Sequence, residues 1–267
     1  ILYMKDLQEK SGVKFEVIRH GKYKSAVEPY LSQEMSPENR EQMTVLLNSV
    51  WNTIVSDIAK SRKLSVIQLN AIANSLGART PELALANKLV DKVAYEDEYH
   101  DAIRTKLKLA KDEKYNFVSV RDYAKTAAST VEDYSKKDII AVIYAQGEIL
   151  GGEGDVNVIG EGSIKRSLRD AREDKNVKAI VLRVNSPGGS ALTSELIWRE
   201  IEITKKTKPV VVSMGNYAAS GGYYIAANAD RIFAEPNTIT GSIGVFGMLP
   251  NMNQLGKNIG INAEQVK

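Results

Sequence analysis

The chain has 267 residues, of which 43% are hydrophobic and 26% charged, so it can bury one large core or two modest ones. Its net charge is only +3, and its basic residues are interleaved with acidic ones, which argues against a nucleic-acid partner. The absence of cysteine excludes disulfides and thiolate metal sites, and with only His20 and His100 present we expect neither a metal nor a cofactor.

The two ends of the chain carry a related pattern. Residues 1–18 predict a short strand, a helix, a turn at Gly12 and a second strand. Near the C-terminus the pattern returns with these matches: Met4 with Met252, Leu7 with Leu255, Gly12 with Gly260 and Glu16 with Glu264. We predict an internal duplication, in which the chain opens near the end of one repeat and stops at the corresponding point of the next.

Helices dominate the next part of the sequence. Ser36 as N-cap, followed by Pro37 and Glu38, indicates the start of an amphipathic helix of about six turns. An apolar stripe of this kind is typical of a core or a subunit interface. Two shorter helices are predicted around residues 66–75 and 82–88.

The sequence turns polar and lysine-rich at residues 101–137, which indicates a connection between repeats. We therefore assign residues 1–105 to the end of a first repeat and 106–137 to the connection. Residues 138–267 form a second repeat that is truncated at its C-terminus.

From residue 138 onward, strands alternate with helices. The predicted strands span 139–144, 179–184, 210–214 and 230–234, and the predicted helices span 163–173 and 191–204, with a third beginning near Ser220. Strands separated by crossover helices require a mainly parallel sheet with helices packed on it. The glycine-rich segment 147–162 predicts a flexible loop, and because no Gly-Lys-Ser or Gly-Lys-Thr follows, a phosphate-binding loop is disfavoured.

Residues 209–229 contain no charged side chain. Because serine, asparagine and glycine interrupt this stretch, a buried strand, a tight turn and a helix fit it better than a membrane span. Ser220 lies at the turn, where free N–H groups and the positive end of the helix dipole favour a nucleophile. The N–H of Gly221 can face a developing oxyanion. The alternative, that Ser220 only caps the helix, stays open at this point.

A second turn, NSPGGS at residues 185–190, also follows a predicted strand and is expected at the same carboxyl edge of the sheet. There the N–H of Gly189, alone or with that of Gly188, can join Gly221 in an oxyanion hole. An ordinary type II turn with Pro187 at its second position explains the same residues.

A serine nucleophile needs a base. Neither histidine is well placed by sequence, and a lysine serves only if burial lowers its pKa. Lys24 lies among uncharged neighbours, YKSAV at residues 23–27, and fits better than most lysines of the chain. The competing interpretation is a surface charge.

Four segments resemble motifs of the bacterial signal peptide peptidase A family, also called protease IV, in its long form with tandem repeats. They are GKYKSAVEPY at 21–30, VLRVNSPGG at 181–189, SMGNYAASGGYYIA at 213–226 and TGSIGVFG at 240–247. The resemblance covers essentially the whole chain and implies a serine protease with a Ser/Lys dyad on a Clp-protease or crotonase-like α/β fold. By that resemblance the nucleophile is Ser220 and the general base is Lys24 rather than Lys22. Ser242 would orient the lysine, and Gly189 and Gly221 would form the oxyanion hole.

The resemblance also implies substrates, assembly and location. Members of the family degrade cleaved signal peptides and other membrane-associated or unfolded peptides, and they self-associate into rings, for example homotetramers. They are anchored in the bacterial inner membrane with their catalytic domains on the periplasmic side. No segment here predicts a signal peptide or an anchor, and since the chain starts at Ile1 rather than Met, we expect a longer native protein in which both repeats are complete.

Two other functions compete with proteolysis. An acyl-CoA hydratase or isomerase of the crotonase type can use the same sheet and glycine turns to hold an enolate, but it needs an acidic group over the pocket. A catalytically inactive repeat scaffold can bind peptides by strand addition.

Overall fold

The computed structural model describes residues 1–129, 137–262, 264 and 266. Contacts divide the chain into two compact units. The sheet unit comprises Ile1–Val50 and Asp138–Lys267, and the helical unit comprises Trp51–Lys137. Every residue predicted for the site belongs to the sheet unit.

The helices are α1 (Lys5–Ser11), α2 (Pro37–Arg62), α3 (Val66–Asn74), α4 (Pro81–Ala86), α5 (Glu96–Leu107), α6 (Val120–Ser129), α7 (Glu161–Glu173), α8 (Ala191–Lys205), α9 (Gly221–Ala226) and α10 (Asn253–Asn258). The strands are β1 (Lys14–Arg19), β2 (Ile139–Gln146), β3 (Glu148–Leu150), β4 (Val158–Gly160), β5 (Val177–Ser186), β6 (Val210–Ala219), β7 (Arg231–Phe233), β8 (Ile239–Gly241) and β9 (Phe246–Asn251). A 3-10 helix spans Ser25–Tyr30.

The main sheet is parallel, with strand order β2-β5-β6-β7, and β8 pairs with the end of β6. This arrangement confirms the predicted α/β class with a mainly parallel sheet. β6 is longer than the predicted strand 210–214, because the register shifts between Val184 and Ser186 of β5 and the last residues of β6 then pair with β8. The bend after β6 therefore lies at the carboxyl edge of the sheet.

The glycine-rich segment 147–162 is not simply the flexible loop that the sequence predicts. It contains β3 and β4, which pair in parallel, and Ile149 and Ile159 at their centres are 0% and 2% exposed. Their burial explains the difference, because two apolar anchors fix a segment whose glycines alone suggest freedom. β3 also bridges to Gly189 and so contacts the turn that follows β5.

The core of the sheet unit lies between the parallel strands and helices α7, α8 and α9. Ile180, Leu182 and Val184 alternate along β5 and are fully buried, and Ile197 and Ile201 of α8 are buried as well. Fully burying a side chain of this size contributes about 1.5 to 3 kcal/mol. The core therefore fixes the strand ends from which the candidate site projects.

The two ends of the chain are similar in local structure. Met4 and Met252 precede α1 and α10 with nearly equal backbone angles (φ −114°, ψ 8° and φ −106°, ψ 11°), and Gly12 and Gly260 follow the helices with φ of 75° and 86°. β1 pairs with β9 in antiparallel fashion. The matching helices and glycines support the predicted duplication. The second-repeat counterpart of β1 lies partly outside the described residues, and the two-repeat division stays a prediction.

The helical unit contains the second part of α2 and helices α3 to α6. α3 begins with a capping box between Ser65 and Gln68, and α4 begins after an N-cap at Thr80. The segment 101–137, predicted as a connection, contains the end of α5 and all of α6, and its residues 130–136 lie outside the described part. In the ranges that the structure describes, no helix combines the length and apolar composition needed to cross a membrane.

Candidate active site

Ser220 occupies a strained bend between β6 and α9. Its φ of 53° and ψ of −119° are unusual for a residue with a side chain, and strain of this kind is concentrated at functional sites. The bend is fixed by two backbone hydrogen bonds, from the Ser220 N–H to the Gly241 carbonyl (2.8 Å) and from the Tyr224 N–H to the Ser220 carbonyl (2.9 Å).

The glycines after Ser220 are required by close packing. A Cβ at Gly221 would lie 2.5 Å from the Ser194 Oγ, and one at Gly222 would lie 2.7 Å from the Ser186 carbonyl oxygen. The AASGG sequence is therefore explained by the space available at the start of α9. Ser220 occupies the N-cap position of α9, but its side chain makes no capping hydrogen bond, so the alternative that it serves only to cap the helix is wrong.

The Lys24 side chain reaches Ser220. The Lys24 Nζ lies 3.1 Å from the Ser220 Oγ, and it also contacts Ser242 at two atoms, the carbonyl oxygen at 2.6 Å and the Oγ at 3.1 Å. The structure thus brings together within one chain the three residues Lys24, Ser220 and Ser242. Because the Lys24 amine donates two N–H bonds to Ser242, the remaining tetrahedral position of its nitrogen faces the Ser220 hydroxyl.

Lys24 is only 5% exposed, so the interpretation as a surface charge is wrong. Burial lowers the pKa of its amine from the ordinary value of 10.5. In the described residues no carboxylate forms an ion pair with Lys24 that would oppose this effect. Lys22, by contrast, has a side chain that is 80% exposed and lies 3.5 Å from the Glu38 carboxylate. Of the two neighbouring lysines, only Lys24 is in the site.

Ser242 follows β8 and also has a positive φ, 49°. Because β8 pairs in parallel with residues 217–219 of β6, the turn after β8 lies beside the turn that carries Ser220. The pairing of the two strand ends therefore explains how Ser220 and Ser242 come to contact the same lysine, which is far from both in sequence.

Two backbone N–H groups beside Ser220 are free to act as donors within the described part of the chain. Those of Gly189 and Gly221 donate to no backbone or side-chain acceptor in the described part of the chain. They lie close together, since a Cβ at Gly221 would be 3.3 Å from the Gly189 nitrogen. The Gly188 N–H is occupied instead by the Ser186 Oγ at 3.1 Å, which excludes it as a second donor from this turn.

The turn interpretation of SPGG and the oxyanion interpretation are compatible. Gly188 has a φ of 101°, as a type II turn with Pro187 at its second position requires. The turn leaves the N–H of the following residue, Gly189, without an acceptor in the described part of the chain. Hydrogen bonds with β3 hold it, from the Ile149 N–H to the Gly188 carbonyl (2.9 Å) and from the Ser190 N–H to the Ile149 carbonyl (2.7 Å).

A cavity of about 390 Å³ opens beside Ser220, Gly189 and Gly221. Most of its wall is apolar, and its further lining residues are His20, Ala191, Ser194, Tyr223, Tyr224, Ile243, Gly244 and Val245. Sequence reasoning did not identify these wall residues, although most of them lie in or next to the motifs around Ser220 and Ser242. His20, which the sequence gives no reason to place near Ser220, lines the cavity, whereas His100 belongs to the helical unit.

Comparison with known proteins gives a consistent result. Peptidase family S49 matches residues 1–110 and 202–267. Protease 4 from Haemophilus influenzae is 39% identical and Protease 4 from Salmonella typhi is 41% identical, each over 99% of this chain and 44% of the relative. The chloroplastic serine protease SPPA from Arabidopsis thaliana is 35% identical over 97% of this chain and 39% of its own length.

This chain therefore spans less than half the length of these relatives. A solved structure of a ClpP1 mutant from Listeria monocytogenes shares 20% identity over 37% of this chain and 50% of that chain, with a TM-score of 0.29, which is too low to support an inference. The family match confirms the resemblance seen in the sequence motifs: the chain belongs to peptidase family S49.

Proposed function

We propose that this chain carries the active site of a serine endopeptidase in which Ser220 is the nucleophile and Lys24 the general base. The observation that carries the proposal is the 3.1 Å separation of the Lys24 Nζ and the Ser220 Oγ, with the lysine buried. This distance is within hydrogen-bond reach and permits direct proton transfer. The names of the relatives, Protease 4 and serine protease SPPA, support the proposal.

The reaction begins with neutral Lys24. Its Nζ accepts the hydroxyl proton of Ser220 while the Oγ attacks the carbonyl carbon of a peptide bond. The carbonyl oxygen becomes an oxyanion, which accepts hydrogen bonds from the N–H groups of Gly189 and Gly221. The protonated Lys24 then gives its proton to the leaving amine nitrogen, and an acyl-Ser220 ester remains. Water hydrolyses this ester with Lys24 again acting as the base.

The lowered pKa of Lys24 is needed for this chemistry. At its ordinary pKa only about one lysine in a thousand is neutral near pH 7.4. Burial lowers the pKa of Lys24 and so raises the neutral fraction. We propose that Ser242 acts by orienting the amine, because its carbonyl and Oγ accept two N–H bonds and leave the nitrogen lone pair facing the Ser220 hydroxyl.

The cavity beside Ser220 suggests the type of substrate. Its walls are mostly apolar, with Ala191, Ile243 and Val245 among the lining residues, which suits a small or apolar side chain next to the cleaved bond. We propose unfolded peptides and cleaved signal peptides as substrates. The name of an Enterococcus faecium relative, putative signal peptide peptidase SppA, which is 45% identical over 95 residues, supports this assignment.

Self-association into a ring, a membrane anchor in the complete protein and a periplasmic location of the site are further parts of the proposal. They follow from the motif resemblance alone. The oligomeric state of the purified protein tests self-association. Accessibility of the site to a reagent added from the periplasmic side tests the location.

The crotonase alternative is less well supported. Enolate chemistry requires an acidic group over the pocket, and the described lining residues of the cavity include neither Asp nor Glu. A buried amine adjacent to a serine hydroxyl has no part in that reaction. The inactive scaffold remains the second alternative, and it predicts that Ser220 is dispensable.

Cleavage of unfolded casein tests the proposal. Ser220→Ala and Lys24→Ala are each expected to lower kcat by about 10³-fold or more. The first variant lacks the hydroxyl that forms the acyl intermediate, and the second lacks the amine that accepts the hydroxyl proton. A fluorophosphonate probe is expected to label Ser220 in the wild type. Lys22→Ala is the matched control, since this exposed lysine lies two residues away, and its kcat should stay within about twofold of the wild type. Casein cleavage by Ser220→Ala at the wild-type rate would leave the scaffold or another nucleophile as the explanation.

A further inference from the structure

Lys24 immediately precedes the 3-10 helix Ser25–Tyr30, and this helix contains a buried carboxylate. Glu28 is 3% exposed, and it does not contact the Lys24 amine or Ser220. Its partners lie at the start of α2: the Ser36 backbone N–H donates to the Glu28 Oε1 at 3.2 Å, and the Asn39 Nδ2 donates to the Oε2. Asn39 is itself 3% exposed. The mechanism described above gives Glu28 no role.

A chain of hydrogen bonds connects this carboxylate to the residue after Lys24. The Asn39 Oδ1 accepts from the Gln42 Nε2 at 3.1 Å, and the same Nε2 donates to the Ser25 Oγ at 2.7 Å. Glu28, Asn39, Gln42 and Ser25 therefore form a closed connection between the 3-10 helix and the first turns of α2. The Arg19 guanidinium also donates a hydrogen bond to the Lys24 carbonyl, at 3.4 Å.

The charge of Glu28 determines which groups donate and which accept in this chain of hydrogen bonds. Burial raises the pKa of its carboxyl, hydrogen bonds from Ser36 and Asn39 lower it, and the net effect is a lowered pKa, so the group is ionised. An ionised carboxylate only accepts hydrogen bonds, so the Asn39 amide must present its NH₂ to Glu28 and its oxygen to Gln42. Gln42 must then present its NH₂ to both Asn39 and Ser25. One acceptor thus determines the orientation of two amides.

We propose that Glu28 is a positioning residue for the Lys24 base: through Asn39, Gln42 and Ser25 it holds the backbone from which the Lys24 amine reaches Ser220. The inference rests on the proposed function, since it assigns Glu28 a role only if Lys24 acts on Ser220. A misplacement of about 1 Å in a reacting group costs up to about 100-fold in rate. Substrate contacts lie elsewhere, so the effect should fall on kcat and not on KM.

The decisive variant is Glu28→Gln, which keeps the size of the side chain but replaces one acceptor oxygen by a donor NH₂. Either Ser36 or Asn39 then faces a donor, and a compensating flip of Asn39 breaks its contact with Gln42. We expect kcat for casein cleavage to fall about 10- to 100-fold with KM within about twofold. The rate of Ser220 labelling by a fluorophosphonate probe should fall in parallel.

Glu200→Gln is the matched control. Glu200 is also buried, 5% exposed, and forms an ion pair with Arg172 between α8 and α7, without contacting the 3-10 helix. It undergoes the same chemical change and loses stability for the same reason, but its kcat should stay within about twofold of the wild type. Thermal unfolding of both variants shows whether stability alone accounts for the result.

Gln42→Ala provides a second measurement if Glu28→Gln fails to fold. Gln42 is partly exposed, and its removal leaves Ser25 without this donor while keeping the carboxylate bonds to Ser36 and Asn39. We expect a smaller fall of kcat, about three- to tenfold. Unchanged kcat in a folded Glu28→Gln, or in Gln42→Ala where Glu28→Gln is unfolded, overturns the positioning role while Lys24→Ala remains inactive. If Lys24→Ala itself cleaves casein normally, both the proposed function and this inference are wrong.

Discussion

The two residues that meet in the site, Ser220 and Lys24, are held in place by different kinds of structure. Ser220 follows a central strand of the parallel sheet, in which Val210, Val212 and Ala218 are fully buried. Its own angles are set by backbone hydrogen bonds and by glycines that pack against neighbouring atoms. The geometry of Ser220 is therefore set by the backbone.

Lys24 lies before a short 3-10 helix between β1 and α2. The links that fix this segment are largely made by side chains, from Asn39 to Glu28 and from Gln42 to Ser25. The two halves of one site are therefore sensitive to different changes. On the serine side there is no room for a Cβ at Gly221 or Gly222, whereas the lysine side depends on the polarity and charge of its side chains.

The strongest test of this difference is Gly188→Ala on the serine side. A Cβ at Gly188 would lie 2.7 Å from the Gly221 nitrogen and 2.8 Å from the Ser220 Cβ, and its φ of 101° disfavours any side chain. One methyl group therefore displaces both Ser220, the proposed nucleophile, and the Gly221 N–H, a proposed oxyanion donor. We expect kcat to fall about 100- to 1000-fold in casein cleavage.

Gly151→Ala is the control for this variant. Gly151 lies in the loop after β3, where a Cβ would meet no atom within 4 Å. The same substitution should leave kcat within about twofold of the wild type. If Gly188→Ala retains wild-type kcat, the backbone at this turn can shift without cost, and close packing does not fix the position of Ser220.

The serine side of the site could be inferred from local sequence. Uncharged residues before Ser220 and glycines after it report a buried strand and a crowded turn, and both are local properties. The sequence also predicted the parallel sheet, because strands and helices alternate along it. It missed β3 and β4, since the glycines of that loop hid the two buried isoleucines, Ile149 and Ile159.

The lysine side could not be inferred in this way. Nothing local distinguishes Lys24 from other lysines strongly, and the assignment came from the family motif around it. Its burial depends on residues far away in the sequence, Ser220 and Ser242, which meet it only after folding. Glu28 was not identified at all, because a glutamate beside a proline gives no sign in the sequence of being buried.

The activity is expected to depend on pH through the charge of Lys24. Burial lowers the pKa of Lys24 below its ordinary 10.5, and only the neutral amine acts as a base. We expect kcat/KM to rise about tenfold per pH unit below this lowered pKa and to level off above it. A profile that still rises through 10.5 would show that the amine is not shielded from water.

The free energy of unfolding should also increase with pH because of Lys24. Below the folded-state pKa, Lys24 is protonated in both states and the folded chain contains a buried cation, which is unfavourable. As the pH rises from the folded-state pKa toward 10.5, this penalty disappears and the free energy of unfolding increases. Urea unfolding of the wild type and of Lys24→Met at several pH values measures the effect, because the variant should lack this part of the slope.

The smallest expected effect is that of Ser242→Ala, which removes one of the two acceptors for the Lys24 amine. The Ser242 carbonyl, 2.6 Å from the Nζ, remains, so the amine keeps one fixed bond but can rotate its lone pair away from Ser220. We expect a fall of about tenfold in kcat, with little change in KM. Thr240→Val is the control, since this neighbouring hydroxyl donates to the Ala218 carbonyl and does not contact the lysine. If both variants lose kcat equally, the turn after β8 acts through its folding, and the Ser242 hydroxyl has no separate part in orienting the base.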